Sequence, residues 1–166
     1  MPFLILKKTL GSLDVFSIIE RWNFLLLYLD NCCFNRPFDV QTQLIISLES
    51  QAKLFIQQEI LNGRFELLWS YALEYENNQN PFDVRRVSIH EWKKLAVNHI
   101  LESNEILTLG ESLMKRGLKL YDALHVACAY YGGCDRFITV DKGLLKKPIR
   151  EVMVQNPIDF VLEMEG

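Results

Sequence analysis

At 166 residues, 49% of them hydrophobic and 23% charged, the chain has the size and profile of one globular domain with a proper core. A formal net charge of -3 excludes a protein that holds nucleic acid through a general basic field, though not one whose cations cluster around an acidic pocket. No apolar run reaches the roughly 20 residues of a membrane span. The four cysteines lack zinc-type spacing, with Cys32 and Cys33 adjacent and Cys128 and Cys134 apart, and read as reduced thiols of a cytoplasmic protein.

In chain order, Met1 to Leu6 is apolar and is followed by Lys7 and Lys8, the reverse of a signal peptide's charge order. Asp14, Glu20 and Arg21 interrupt any continuous hydrophobic stretch, so residues 1–23 are expected to be an amino-terminal extension and 24–166 a single domain. Phe24 to Leu29 is a short apolar run that stops at Asp30-Asn31, as a buried parallel strand opening into a loop would. Arg36-Pro37 marks a turn. From Gln41 to Leu61 the spacing of Leu44, Ile45, Leu48, Ala52, Phe55 and Ile56 predicts a helix, closed by Asn62-Gly63.

Phe65 to Trp69 reads as a second strand, with Ser70 starting a helix through Glu76. Asn77 to Pro81 breaks the chain. Helices are predicted over Val84 to Ile100, Ser103 to Arg116 and, after Gly117, Leu120 to Tyr131. Gly132-Gly133 ends the last of these, Arg136 to Val140 forms a strand, and Lys142 to Lys147 is a helical turn stopped by Pro148. Val152 to Val154 makes a final strand before a polar tail beyond Pro157. Alternating strands and helices predict an α/β fold, a central mainly parallel sheet flanked by helices in three layers. Ligands of such sheets bind beyond the carboxyl ends of the strands.

That rule singles out carboxylates. Asp30 ends the first strand, Asp141 follows the last long one, Glu74 and Glu76 sit just after the second, and Asp122 opens the Leu120 helix. Carboxylates brought together repel one another unless a cation lies between them. Oxygen donors suit Mg²⁺ or Mn²⁺, and such ions could activate a water for phosphodiester hydrolysis. Each residue also has a plain reading: Asp30 as a loop cap, Asp122 as a dipole-favoured surface charge, Asp141 as an N-cap, Glu74 or Glu76 as a solvated helix charge. His125, three residues after Asp122, reads as a packed or surface histidine.

Tyr121-Asp122-Ala123-Leu124-His125-Val126-Ala127, followed by Gly133-Cys134-Asp135-Arg136-Phe137-Ile138-Thr139-Val140-Asp141, resembles the carboxyl-terminal signature of PIN-domain proteins, which include VapC-type toxins. Leu27-Tyr28-Leu29-Asp30-Asn31 is similar to the family's opening strand, and the match spans roughly Phe24 to Val161. The resemblance implies a Mg²⁺- or Mn²⁺-dependent endoribonuclease. It assigns Asp30, Glu76, Asp122 and Asp141 to catalysis, with Asp30, Asp122 and Asp141 as metal ligands and Glu76 fitting the family's offset better than Glu74. Asn31 and Thr139 would support the site, Asp135 would hold a loop, and Arg36 is a candidate phosphate contact. Dimers are frequent in the family and toxin members are silenced by an antitoxin, so RNA, an antitoxin and a second copy of the chain are the implied partners. The Asn31-to-Pro37 loop departs from the pattern of the small toxins.

Two other readings stand beside this one. An aspartate-nucleophile phosphatase would want a second aspartate where Cys32 stands. A catalytically silent PIN fold would act as an RNA- or protein-binding module, and the intact acidic set argues against it.

Overall fold

The computed structural model describes residues 24–166; the extension expected over residues 1–23 lies outside the described residues. The strands are β1 (Leu25–Leu29), β2 (Phe65–Ser70), β3 (Asn98–Ile100), β4 (Arg136–Ile138) and β5 (Val154–Gln155). The helices are α1 (Asn31–Asn35), α2 (Leu44–Leu61), α3 (Tyr71–Asn78), α4 (Asp83–Glu91), α5 (Asn104–Lys115), α6 (Leu120–Tyr131), α7 (Lys142–Leu145) and α8 (Pro157–Glu165). Short 3₁₀ turns cover Arg36–Phe38 and Trp92–Leu95. All strand pairs are parallel, in the order β3-β2-β1-β4-β5. The order reverses between β1 and β4, and the crevice above that point is where open α/β sheets bind ligands.

Side-chain alternation along the strands sets the two faces of the sheet. Phe65 meets Phe160 of α8 edge-on at 5.3 Å, so the odd positions of β2 face α2 and α8, which pack together. On the other face Tyr28 stacks on its register neighbour Phe137 at 5.2 Å beneath α6, which packs against α5. Leu27, Leu29, Leu67, Leu68, Phe137 and Ile138 are fully buried between these layers. Gly63 takes φ +74° after α2, the left-handed closure that Asn62-Gly63 predicts. Among the described residues no helix is long and apolar enough to cross a membrane.

Three expectations are corrected. The helix predicted over Val84 to Ile100 ends at Glu91, and Asn98–Ile100 pairs with Leu68, Trp69 and Ser70 as β3. An edge strand bonded on one side needs no apolar run, and Asn98 and His99 are exposed. Beyond Val154–Gln155 the chain is helical: Pro157 occupies the first helical position and Asn156 caps α8 by accepting from the Ile158 amide at 2.9 Å. Finally, α2 is rotated from its expected packing, leaving Leu44, Ile45 and Leu48 exposed. Its inward stripe carries Glu49, Lys53 and Gln57 beside Ile56 and Ile60.

Candidate active site

Asp30 stands where β1 meets α1, in extended conformation. Its backbone carbonyl accepts from Cys33 and Phe34 and caps α1, while its side chain makes no capping bond. The carboxylate is therefore available to the crevice, and it is nearly buried at 5% exposure. The β1–β4 register sets Thr139 beside it, and the Thr139 hydroxyl donates to Asp30 Oδ2 at 2.7 Å. The Cys32 thiol donates to the same oxygen at 3.2 Å.

Asp122 and His125 sit three residues apart on α6 and share one face. Burial, then the charges of Asp30 and Asp141, raise the Asp122 carboxyl above its ordinary value, with Lys119 opposing. Asp141 caps α7, its Oδ1 accepting from the amides of Gly143 at 2.6 Å and Leu144 at 3.0 Å. The N-cap reading of Asp141 thus holds, and the same carboxylate acts on Asp122 across the crevice.

Glu76 reaches this cluster from α3 and Glu74 does not. Glu74 turns to Lys93 at 2.8 Å and accepts from the Trp69 indole at 2.9 Å. Glu76 Oε2 lies 2.6 Å from His125 Nε2. Oxygen and nitrogen atoms of Asp30, Glu76 and His125 all lie within 4.8 Å of one another. Burial alone would raise the Glu76 carboxyl, yet hydrogen bonds from His125 and Asn31 hold it below the ordinary value.

His125, expected to be packed or on the surface, is packed at 1% exposure and is also part of the cluster. Burial pulls its pKa down, but the bond to Glu76 and the charges of Asp30, Glu76 and Asp122 prevail and raise it. Its Nδ1 lies 2.6 Å from the Tyr28 hydroxyl, which lies 2.6 Å from Ser70 Oγ. Ser70 in turn accepts from the Leu73 amide at the start of α3. A buried chain of hydrogen bonds therefore fixes the imidazole plane, and the imidazole fixes the Glu76 carboxylate. In the sequence Tyr28 is one more apolar strand residue; its hydroxyl at the inward face, opposite a helical histidine, is the only available signal.

Arg36, the expected phosphate contact, pairs with Glu49 at 2.9 Å and Asp39 at 3.2 Å, so its charge is committed at the foot of the α1 segment. Asp135 accepts from the Leu26 amide at 2.8 Å, a loop-holding contact.

No family model matches the chain, and no curated protein matches its sequence. Among solved structures the fold is similar to that of VapBC2 from Rickettsia felis bound to a DNA fragment from their promoter. That likeness has a TM-score of 0.50 at 12% identity and covers 80% of this chain and 98% of that one. PAE2754 from Pyrobaculum aerophilum is a looser likeness, with a TM-score of 0.44 at 15% identity over 85% of this chain and 96% of that one. The five-stranded parallel sheet and the first of these likenesses show a PIN-like, three-layer α/β fold, as the sequence resemblance implied.

Proposed function

We propose that the chain is a Mg²⁺- or Mn²⁺-dependent endoribonuclease that acts through Asp30, Glu76, Asp122 and Asp141. The observation that carries this reading is the grouping of Asp30 from β1, Glu76 from α3 and His125 from α6 at the crevice where the strand order reverses, with the charges of Asp30 and Asp141 acting on Asp122 beside it. Asp122 is raised first by burial and then by the charges of Asp30 and Asp141, and a cation among these oxygens would relieve that repulsion. Carboxylate oxygens fit a hard divalent ion, and the group also offers a His125 nitrogen, a donor that Mn²⁺ accepts. Asp30, Asp122 and Asp141 would hold it, and the ion when bound would supply an activated water and stabilise the leaving oxygen. Thr139 and Cys32 hold Asp30 from one side and leave its remaining lone pairs to the crevice. Asn31 and His125 aim Glu76.

Kinship with VapC-type toxins, a cytoplasmic setting, silencing by an antitoxin and a homodimeric state belong to the same proposal. The test is incubation of a mixed RNA pool with purified protein, with and without Mn²⁺. Metal-dependent cleavage is expected; a folded, Mn²⁺-binding protein that leaves every RNA intact would instead favour a binding module.

The orienting role of His125 has its own readout. His125→Gln should weaken Mn²⁺ binding about 10- to 100-fold, the usual cost of removing a group that orients a metal ligand. Electron paramagnetic resonance of free Mn²⁺ measures it directly. Unchanged affinity would leave His125 as a packing residue only.

A further inference from the structure

The net charge of -3 poses a physical problem for the proposed reading. An acidic crevice repels an RNA backbone, so attraction has to come from cations nearby that are not already neutralised. Most cations among the described residues are neutralised: Arg36 by Glu49, Arg64 by Glu59 and Glu165, Arg85 by Asp39, Arg86 by Asp83, Lys93 by Glu74, Lys94 by Glu91, Arg116 by Glu151 and Arg136 by Glu163. Lys53 is buried against Gln57.

Apart from the buried Lys53, the cations with no carboxylate partner among the described residues are Lys115, Lys119, Lys142, Lys146, Lys147 and Arg150, and all six are exposed. They fall in two segments only, the α5–α6 connection and the stretch from α7 towards β5. The two segments are tied together by Arg116, which pairs with Glu151 and donates to the Pro148 carbonyl at 2.9 Å. Where they meet, Lys119 and Lys147 share a recess of about 110 Å³ with Asp122 and Asp141. Lys119 is close enough to act on the Asp122 carboxyl. The only uncompensated positive strip in the described fold thus runs up to one side of the acidic cluster.

We propose that this strip is the track of a single-stranded RNA backbone entering the crevice, with Lys119 and Lys147 gripping the phosphate beside the one that is cut. The inference rests on the nuclease reading and adds the direction of approach. It gives the α5–α6 connection and α7 a role that the carboxylates alone do not require. At the far end Arg150 shares a shallow depression with Tyr130 and Tyr131, exposed rings of the kind on which unpaired bases stack.

The experiment is fluorescence anisotropy of a labelled, mixed-sequence, single-stranded RNA in EDTA, titrated over a range of salt concentrations. Wild type is compared with Lys119→Ala/Lys147→Ala and with Lys93→Ala/Lys94→Ala, which removes two carboxylate-paired lysines elsewhere. Each phosphate contact on a single strand contributes about 0.7 to the slope of log K against log salt, so the first variant should lose about 1.4 of slope. Its affinity near 0.1 M salt should fall roughly 10- to 30-fold on the same basis. The second variant should behave as wild type. An unchanged slope in the Lys119/Lys147 variant, an equal loss in the Lys93/Lys94 variant, or no RNA binding by wild type would each overturn the track. Mn²⁺-dependent cleavage by wild type, measured alongside, keeps the two readings apart. Cleavage with an unchanged slope removes the track alone, and slope loss without cleavage supports the track while counting against the nuclease.

Discussion

Asp30→Asn should reduce Mn²⁺-dependent cleavage of an RNA pool by at least roughly 10²- to 10³-fold, the scale of losing one preorganised electrostatic contact at a reacting centre. The shape of the side chain survives the change and its charge does not. Thr139 and Cys32 both donate to Asp30 Oδ2. An amide oxygen can take over one of these bonds, and the Thr139 hydroxyl can rotate to accept from the amide nitrogen. The thermal midpoint should therefore move little. Removing the Asp30 charge also removes one of the two like charges that raise Asp122, so the Asp122 carboxyl should fall back towards its ordinary range. Asp122→Asn should abolish cleavage on the same logic. Full activity in either folded variant would remove that residue from the ligand set.

Lys53→Met combined with Gln57→Leu should stabilise the protein at pH 7 by about 1–3 kcal/mol. Lys53 is 4% exposed, with Nζ 2.6 Å from Gln57 Oε1 and 5.4 Å from the centre of the Phe34 ring. Among the described residues no carboxylate answers its charge, and Gln57 Nε2 is buried with no hydrogen-bond partner there. Burial lowers the Lys53 pKa to about 8 from its usual 10.5. The unfolded chain therefore binds more protons than the folded one between those values, and wild-type stability rises with pH across that window relative to the variant. Below pH 8 the wild type carries the whole penalty, about 3 kcal/mol at 1.36 kcal/mol per pKa unit. The penalty fades to nothing by about pH 10.5. Urea unfolding of both proteins at pH 7 and pH 10 checks the sign. A stability gap that stays constant or widens at pH 10 would show that the folded state does not hold this lysine against its charge.

Much of the site is legible in the sequence because it lies where local signals are strong. The apolar run before Asp30 has the length and polar stop of a buried strand, and that stop marks the carboxyl edge. The glycines after Tyr131 bound α6 as expected, which places Asp122 at its first turn. The sequence is poor where partners come from distant segments. Only the offset implied by the family resemblance favours Glu76 over Glu74 in the sequence; in the fold the two are separated by His125, 49 residues from Glu76, and by Lys93, which claims Glu74. The Tyr28 hydroxyl is meaningful only once the sheet stands under α6. The face that α2 buries escapes the sequence for the same kind of reason. Its apolar spacing favours one side, but Arg36 and Asn156 meet Glu49 on the other. The helix turns to satisfy those polar groups and leaves leucines outside. At α8, Asn156-Pro157 has the composition of a break, and the same pair is also a helix start.

The Ser70–Tyr28–His125–Glu76 chain links four elements: the neighbouring strands β2 and β1, the helix α6 and the helix α3 that follows β2. Any contiguous fragment that contains it runs at least from Tyr28 to His125, and one with both Asp30 and Asp141 takes in most of the described domain. Under the proposed reading, the ion is then a ligand of the folded state alone, and its binding and the folding equilibrium are one linked process. At a hundred times its dissociation constant such an ion adds about 2.7 kcal/mol to the unfolding free energy. Divalent ions would thus govern how long the protein persists as well as whether it cuts. On that reading, withdrawing the ion raises the population of the opened form that proteases cut.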